Sequence, residues 1–153
     1  MAVLDDKDCA ILALLQRDGD LPNTELARQV QLSPAATLRR VQRLRADGVI
    51  TGVHAVVDPA KVGMKVEAFV LITLSEHSDA GEQRLISALA DMPAVLRADA
   101  VAGADDVLLH IATADAGELQ EVLRTLPRIG ARRVTTLLRL GAVKAPAPVP
   151  TRS

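Results

Sequence analysis

The stretch QLSPAATLRRVQRLRADGVI, residues 31–50, predicts a helix with a defined start and a defined end. Ser33 is a good N-cap, because its hydroxyl can accept a hydrogen bond from a free backbone N–H. Pro34 follows at the first helical position, where a missing N–H costs nothing. Gly48 suits the left-handed residue that often ends a helix.

The faces of this helix differ in chemistry. Three apolar residues at three-residue spacing predict a buried stripe: Leu38, Val41 and Leu44. Four arginines crowd the other faces before the first acid, Asp47: Arg39, Arg40, Arg43 and Arg45. A short helix that buries one stripe and presents arginine and small residues on the other side suits a DNA major groove. The alternative is an ordinary solvated amphipathic helix, so the rest of the chain must decide.

The residues before this stretch predict two further helices. Asp5 can cap a first helix that runs to about Arg17, and Asn23 or Thr24 can cap a shorter second one. Two short helices joined by a tight turn, the second with the arginine face, form a helix-turn-helix. The β-prone run at 49–58 then predicts a small wing or a strand that leads out of this domain.

The rest of the chain alternates strand and helix patterns in the order βαββαβ. The predicted strands are 66–75, 94–103, 107–113 and 131–143, and the helices are 78–93 and 115–126. This order suits a four-stranded antiparallel sheet with both helices on one face, a ferredoxin-like plait. The fold class is therefore α+β. The predicted parts are a (winged) helix-turn-helix domain at 1–52, a hinge at 53–65, the plait at 66–143 and a proline-rich flexible tail at 144–153.

The first strand of the plait has apolar residues on both of its sides. Phe69 and Leu71 alternate with Val70 and Ile72, so one set can pack on the helices. The other set would lie in water unless a second subunit covers it, which predicts a dimer, sheet to sheet. A dimer carries two recognition helices and therefore predicts a roughly palindromic operator.

Composition excludes several classes of function. Phe69 is the only aromatic residue, which argues against modules that stack bases on aromatic side chains. The net charge is −1, so any DNA affinity must come from a local patch. Cys9 is alone and the N-terminus lacks a signal-peptide pattern, so a cytoplasmic protein without a membrane span is expected. No metal spacing or catalytic pattern is visible, and the three histidines are expected to be structural or solvated: His54, His77 and His110.

Three segments together closely resemble the N-terminal part of the leucine-responsive/AsnC (Lrp/AsnC) family of bacterial and archaeal regulators. They read LDDKDCAILALLQRDG, NTELARQVQLS and RRVQRLRADGVITG, in the order and spacing of that family. The resemblance implies a transcriptional regulator that binds double-stranded DNA. The expected contacts lie on the 31–50 helix: Ser33, Ala35, Ala36, Thr37, Arg39, Arg40 and Arg43. Ser33 and Thr37 either bond phosphate or only serve the helix.

The resemblance extends to the plait, which in this family dimerises, often assembles to octamers or related rings, and in many members binds an amino acid between subunits. No cofactor is expected. The family hairpin reads Gly, two residues, Asp and an aromatic; here the aromatic is replaced by Val107. The implied effector residues are Gly103, Ala104, Asp105, Asp106, Thr135 and Thr136. The loop either binds the carboxylate and ammonium of an effector or is a hairpin turn with solvated carboxylates.

Two other functions are weighed against a regulator. Some haem-pathway decarboxylases look like the same two-part architecture, but such an enzyme needs a catalytic His or Tyr near the plait pocket. Tyr is absent, and only His110 lies on a suitable strand. The second alternative is an effector-less assembly module, which would show no specific DNA binding.

Overall fold

Side-chain caps fix the first and third helices of the chain. In the computed structural model, which describes residues 3–76 and 78–152, α1 is Asp6–Leu15, α2 is Asn23–Val30 and α3 is Pro34–Ala46. Asp5 accepts a hydrogen bond from the backbone N–H of Asp8 at 2.8 Å, and Ser33 accepts one from Ala36 at 3.2 Å. Both predicted caps are confirmed.

The predicted cap of α2 is wrong. Pro22 occupies the N-cap position and makes no side-chain cap bond, and Asn23 is the first helical residue. The side-chain amide of Asn23 instead donates to the backbone carbonyl of Pro34 at 2.9 Å. Asn23 therefore ties the start of α2 to the start of α3, which sequence proximity alone did not indicate.

The three helices enclose an apolar core, and one residue of the predicted stripe lies outside it. The core consists of Ile11, Leu12, Leu26, Val30, Val41 and Leu44. Leu38 is 47% exposed, whereas Thr37 is fully buried beside Val41 and Leu44. The buried face of α3 therefore follows positions 37, 41 and 44, at helical spacing, and includes a hydroxyl where the sequence predicted a leucine.

The β-prone run after α3 forms no strand in the described part of the chain. Residues 51–58 are all exposed and have neither helical nor strand backbone. A strand needs a neighbour to satisfy its backbone N–H and C=O groups, and none pairs with this segment here. The predicted wing or exit strand is thus not observed.

The second part of the chain is the predicted plait. Its elements are β1 (Val66–Leu74), α4 (Asp79–Ala90), β2 (Val95–Ala100), β3 (Val107–Thr113), α5 (Ala116–Thr125) and β4 (Ala131–Leu138). The strands are antiparallel in the order β2-β3-β1-β4. Ser78 caps α4 and Asp115 caps α5, each by a bond to a first-turn N–H. Short 3₁₀ turns lie at Pro59–Val62 and Leu126–Ile129.

One face of the sheet carries both helices, and the other is open. Ala68, Val70 and Ile72 of β1 are fully buried in one core with Leu85 of α4 and Leu119 of α5. The alternate residues of β1 lie on the opposite face and are only half-buried: Phe69 and Leu71. There the ring of Phe69 stacks on His110, with centroids 4.9 Å apart.

Contacts between residues divide the chain into two units. The first consists of residues 1–56 together with 143–153, and the second of residues 57–142. The first unit is therefore built from both ends of the sequence. None of the helices within 3–76 and 78–152 is long and apolar enough to cross a membrane.

Candidate DNA-binding interface

The outer face of α3 carries small and polar side chains. Ala35, Arg39, Gln42 and Ala46 are all exposed, and their spacing of four, three and four residues places them on one side of the helix. Among the described residues, Arg39 has no ion-pair partner. This face has room to approach a groove floor and groups that can bond base edges or phosphates.

Thr37 points away from this face. It is fully buried, and its hydroxyl donates to the backbone carbonyl of Ser33 at 3.1 Å. Of the two roles that the sequence left open, Thr37 therefore serves the helix, and it is removed from the DNA-contacting set. The Ser33 hydroxyl is exposed but is engaged with the backbone N–H of Ala36.

A buried carboxylate on α1 holds two of the arginines of α3. Asp8 is only 1% exposed, and it accepts hydrogen bonds from Arg40 at 2.8 Å and from Arg43 at 2.5 Å. Its carboxylate also accepts the backbone N–H of Asp5 at 3.2 Å, which completes a capping box at the start of α1. Arg40 makes a further bond of 2.7 Å to Asp5. Asp8 therefore fixes α3 to α1 by charge as well as by apolar packing.

The ionisation of this cluster follows its geometry. The pKa of Asp5 lies below its usual value, chiefly because its carboxylate accepts the backbone N–H of Asp8 and then because of Arg40. The pKa of Arg40 is raised by its bonds to Asp5 and then to Asp8. Both groups are therefore charged at neutral pH. Because Arg40 is committed to two carboxylates in the DNA-free protein, its predicted part in DNA binding stays a prediction.

The helix before α3 is held in a similar way. Lys7 of α1 donates to the backbone carbonyl of Val30, at the end of α2, at 2.7 Å. On the surface of α2, bonds from Arg28 and then Gln29 lower the pKa of Glu25 to about 2. Gln31, at φ 56°, is the left-handed residue that ends α2 and begins the turn. The position of α3 is thus set from both neighbouring helices.

Sequence reasoning missed Gln42 as a candidate contact. It lies between Arg39 and Ala46 on the exposed face, and its amide can both donate and accept, as bidentate bonding to adenine requires. The available signal was its spacing of seven residues from Ala35, but the sequence placed Leu38 in the buried stripe, whereas Leu38 is exposed and Thr37 is buried.

The loop predicted to bind an effector is bonded to the end of β1. Asp106 accepts the backbone N–H of Leu74 at 2.8 Å, and Asp105 accepts the hydroxyl of Thr73 at 2.9 Å. Bonds from Arg133 and then from Thr73 lower the pKa of Asp105. Gly103 and Ala104 are exposed. The carboxylates of this loop therefore have structural partners, whereas its backbone is accessible.

The two threonines predicted for the same site lie on opposite faces of β4. Thr135 pairs with Leu71, on the open face, and Thr136 pairs with Val70, on the face that carries the helices. Thr135 therefore shares its face with Thr73, which bonds Asp105. The β1 partner of Thr136, Val70, is three residues from Thr73, which is roughly 10 Å along β1. Within one chain, Thr135 is the nearer of the two to the loop.

Arg133 is a second residue that sequence reasoning missed. It pairs with Thr73 across β1 and β4, and its guanidinium donates to Asp105 at 2.9 Å and to the carbonyl of Ala104 at 3.1 Å. No motif pointed to it, because its partners are 28 and 29 residues away in sequence. Its cation lies at the loop where an effector is expected.

The histidines weighed as candidate catalytic or metal-binding residues were expected to be structural or solvated. His110 of β3 lies 3.0 Å from Glu67, which also accepts a bond from Arg139 at 2.5 Å. His77 lies outside the described residues. Within those that are described, no group of three or more His, Cys, Asp and Glu side chains is arranged to hold a metal ion.

Both parts of the chain match known families. Residues 4–51 match the family model described as winged helix-turn-helix DNA-binding, and residues 67–149 match the Lrp/AsnC ligand binding domain. Together the two matched segments span most of the sequence and follow the order of the two structural units described above.

Curated relatives and solved structures agree with these matches. The chain is 35% identical over 118 residues to the HTH-type transcriptional regulator AldR of Mycolicibacterium smegmatis, covering 77% of this chain and 69% of that protein. It is 36% identical over 124 residues to the DNA-binding transcriptional activator DecR of Escherichia coli, covering 81% and 82%. A transcriptional regulator from Neisseria meningitidis, solved in complex with L-Met, superposes with a TM-score of 0.89 at 29% identity, covering 97% of both chains. These names give no support to the decarboxylase alternative. The chain belongs to the Lrp/AsnC family of helix-turn-helix transcriptional regulators.

Proposed function

We propose that two copies of this chain bind a roughly palindromic double-stranded operator, with the outer face of α3 in the major groove of each half-site. The observation that carries this proposal is the exposed row of Ala35, Arg39, Gln42 and Ala46 on a helix that is otherwise anchored. Alanines allow close approach and contact with thymine methyls. Arg39 suits guanine or phosphate, and Gln42 suits adenine. Ala36 lies beside this row and is half-buried.

Arg40 and Arg43 have a mainly orienting role in this proposal. Asp8 holds both guanidinium groups, and Arg43 remains 49% exposed at the edge of the outer face. Arg43 therefore keeps donors that a phosphate at the groove edge can accept. Ser33, at the start of the helix, caps it and fixes its N-terminus.

The experiment is a selection of bound DNA from a random pool, followed by binding titrations on the selected site. Arg39→Ala is expected to weaken binding by about 1–3 kcal/mol, and Gln42→Ala to relax the preference at one base pair per half-site. Arg124→Ala, which removes an exposed arginine from α5, is the matched control and is expected to leave binding unchanged. Equal effects of Arg39→Ala and Arg124→Ala would refute the assignment of this face.

We propose that the dimer forms through the open face of the sheet. Phe69 and Leu71 of β1 are half-buried there, beside Leu108 of β3, and Leu137 of β4 is 50% exposed. An apolar surface of this kind on a sheet is covered in stable proteins by another element or by a second copy. The contacts of Glu67 with His110 and Arg139 lie at the end of the same face. Higher assembly, such as an octamer, is an expectation from the family.

We further propose that an amino acid or a related small metabolite binds at the plait, beside the 103–106 loop. The accessible backbone of Gly103 and Ala104 can meet a carboxylate, and Asp105 with Arg133 supplies both signs of charge. The Neisseria meningitidis relative with bound L-Met supports an amino acid as the class of ligand. A thermal-shift screen of free amino acids tests this, because a ligand at 100 times its Kd adds about 2.7 kcal/mol. A screen without any shift would favour a regulator that has no amino-acid effector.

A further inference from the structure

The DNA-binding unit has a groove that is separate from the outer face of α3. It lies between the end of α1 and the residues that follow α3, and its apolar lining includes Leu12, Leu15, Val49, Ile50 and Val53. Val53 packs against the turn after α1 so closely that a Cβ on Gly19 would lie 2.8 Å from its Cγ1. Residues 149–152, near the C-terminal end of the sequence, line the same groove.

Gln16 holds this C-terminal segment by its backbone. Its side-chain Nε2 donates to the carbonyl of Val149 at 3.0 Å, and the N–H of Val149 donates to its Oε1 at 2.6 Å. The flanking residues, Pro148 and Pro150, have no N–H, so Val149 supplies the only backbone donor of the three. Val149 as a whole residue is 71% exposed. The contact therefore depends on the backbone of Val149 and not on its side chain.

The composition of the segment favours docking in an extended form. Prolines occupy positions 146, 148 and 150, and each residue before a proline is restricted to extended backbone. Such a segment has little conformational entropy to lose when it binds. A single glutamine amide can then satisfy the one free N–H and its carbonyl, much as a neighbouring strand would.

We propose that residues 144–152 are a docking segment, and that the groove beside Gln16 is a binding site for an extended peptide with proline on both sides of one backbone N–H. Its occupant is the chain's own C-terminal segment.

Docking also stabilises the end of the recognition helix, α3. Val49 and Ile50 line the groove, and their N–H groups bond the carbonyl of Leu44 at 2.9 and 3.0 Å. This role is independent of which bases or effector the protein binds.

Amide hydrogen exchange of the full-length protein, measured by NMR at Val49, Ile50 and Val149, tests the proposal. Gln16→Ala removes both hydrogen bonds, and Val149→Pro removes the N–H. Loss of two ordinary hydrogen bonds lowers the ratio of docked to undocked protein roughly 5- to 150-fold. Both variants are therefore expected to speed exchange at Val49 and Ile50. Val149→Ala keeps the backbone contact and is the matched control, with exchange as in the parent protein.

A second measurement separates docking from a general loss of structure. The peptide KAPAPVPTRS, added to the Val149→Pro protein, is expected to restore slow exchange at Val49 and Ile50. The same peptide with proline in place of its valine is expected to have no effect. Equal exchange in Val149→Pro and Val149→Ala, or exchange of Val149 in the parent as fast as in the free peptide, overturns the proposal. A peptide without effect overturns the assignment of the groove as a peptide site.

Discussion

Replacement of Asp8 by asparagine tests whether charge anchors the recognition helix. The carboxylate of Asp8 is 1% exposed and accepts bonds from Arg40, Arg43 and the backbone of Asp5. An asparagine of the same size retains an acceptor for the backbone N–H but cannot pair with two cations. The change therefore removes the ion pairs and leaves the capping bond largely in place.

The structure sets the expected size of the effect. Removing one partner of a buried ion pair costs about 3–5 kcal/mol, because the other charge is left without compensation. Here the remaining arginines are 28% and 49% exposed, so water solvates part of their charge. We therefore expect Asp8→Asn to lower the free energy of unfolding of this unit by about 2–3 kcal/mol. Asp6→Asn makes the same chemical change in the same helical turn, at an exposed position, and should cost less than about 0.5 kcal/mol.

Urea unfolding followed by far-UV circular dichroism measures this difference, since the protein has no Trp or Tyr for fluorescence. With a urea dependence of about 1–3 kcal/mol per molar, the midpoint for Asp8→Asn should fall by roughly 0.7–3 M. The midpoint for Asp6→Asn should stay close to that of the parent. Coincident midpoints for the two variants would refute the reasoning that Asp8 anchors α3 through its charge.

Three further outcomes follow from the geometry. The pKa of Glu25 is lowered to about 2, from an ordinary value of 4.5. Its pairing with Arg28 therefore stabilises the protein fully above pH 4.5, and this contribution is lost as the pH falls toward 2. NMR titration of the carboxyl should show its pKa return toward the ordinary value in Arg28→Gln. The pKa of Asp105 is also lowered, chiefly by Arg133, so Arg133→Gln should raise it, and a pKa unchanged by this substitution would contradict the pairing. Leu71→Glu should shift the mass measured by light scattering from a dimer or its multiple to a monomer, whereas Val62→Glu, at an exposed site off the sheet, should not.

Local signals predicted much of the fold, because caps and periodicity act over a few residues. Asp5 and Ser33 cap helices as predicted, and Ser78 and Asp115 cap the helices predicted to begin at 78 and 115. The sequence placed Val41 and Leu44 correctly on the buried face of α3 but assigned Leu38 where Thr37 is buried, since the Thr37 hydroxyl donates to the carbonyl of Ser33 and the residue therefore packs as a core residue. Hydropathy cannot distinguish a buried threonine, whose hydroxyl bonds a nearby backbone carbonyl, from a threonine in contact with water.

Long-range pairing accounts for what the sequence did not predict. Asp8 lies in the first turn of α1, and its partners Arg40 and Arg43 are 32 and 35 residues away. The contact of Gln16 with Val149 spans 133 residues, and nothing in the local pattern of either position indicates it. The proline-rich segment was predicted to be loose from composition alone, although its backbone at Val149 has a defined partner. Order in such a segment depends on the groove that receives it.

The distribution of charge on α3 makes the salt dependence of DNA binding informative. Arg39 and Arg45 are exposed, and neither has an ion-pair partner in the described part of the chain, whereas Arg40 and Arg43 are paired with Asp8. Each phosphate that a protein neutralises contributes about −0.9 to the slope of log K against log salt. If only the two unpaired arginines of each copy meet phosphates, a dimer should show a slope from this helix of about −4. If Arg40 and Arg43 leave the carboxylate of Asp8 and bind phosphates in the complex, the slope should approach about −7. The Asp8→Asn variant should then show a similarly steep slope. The slope could instead be shallow in the parent protein and become steeper in Asp8→Asn. That result would mean that Asp8 holds these arginines away from DNA. The ion pairs that orient the recognition helix would then also limit its non-specific affinity for DNA.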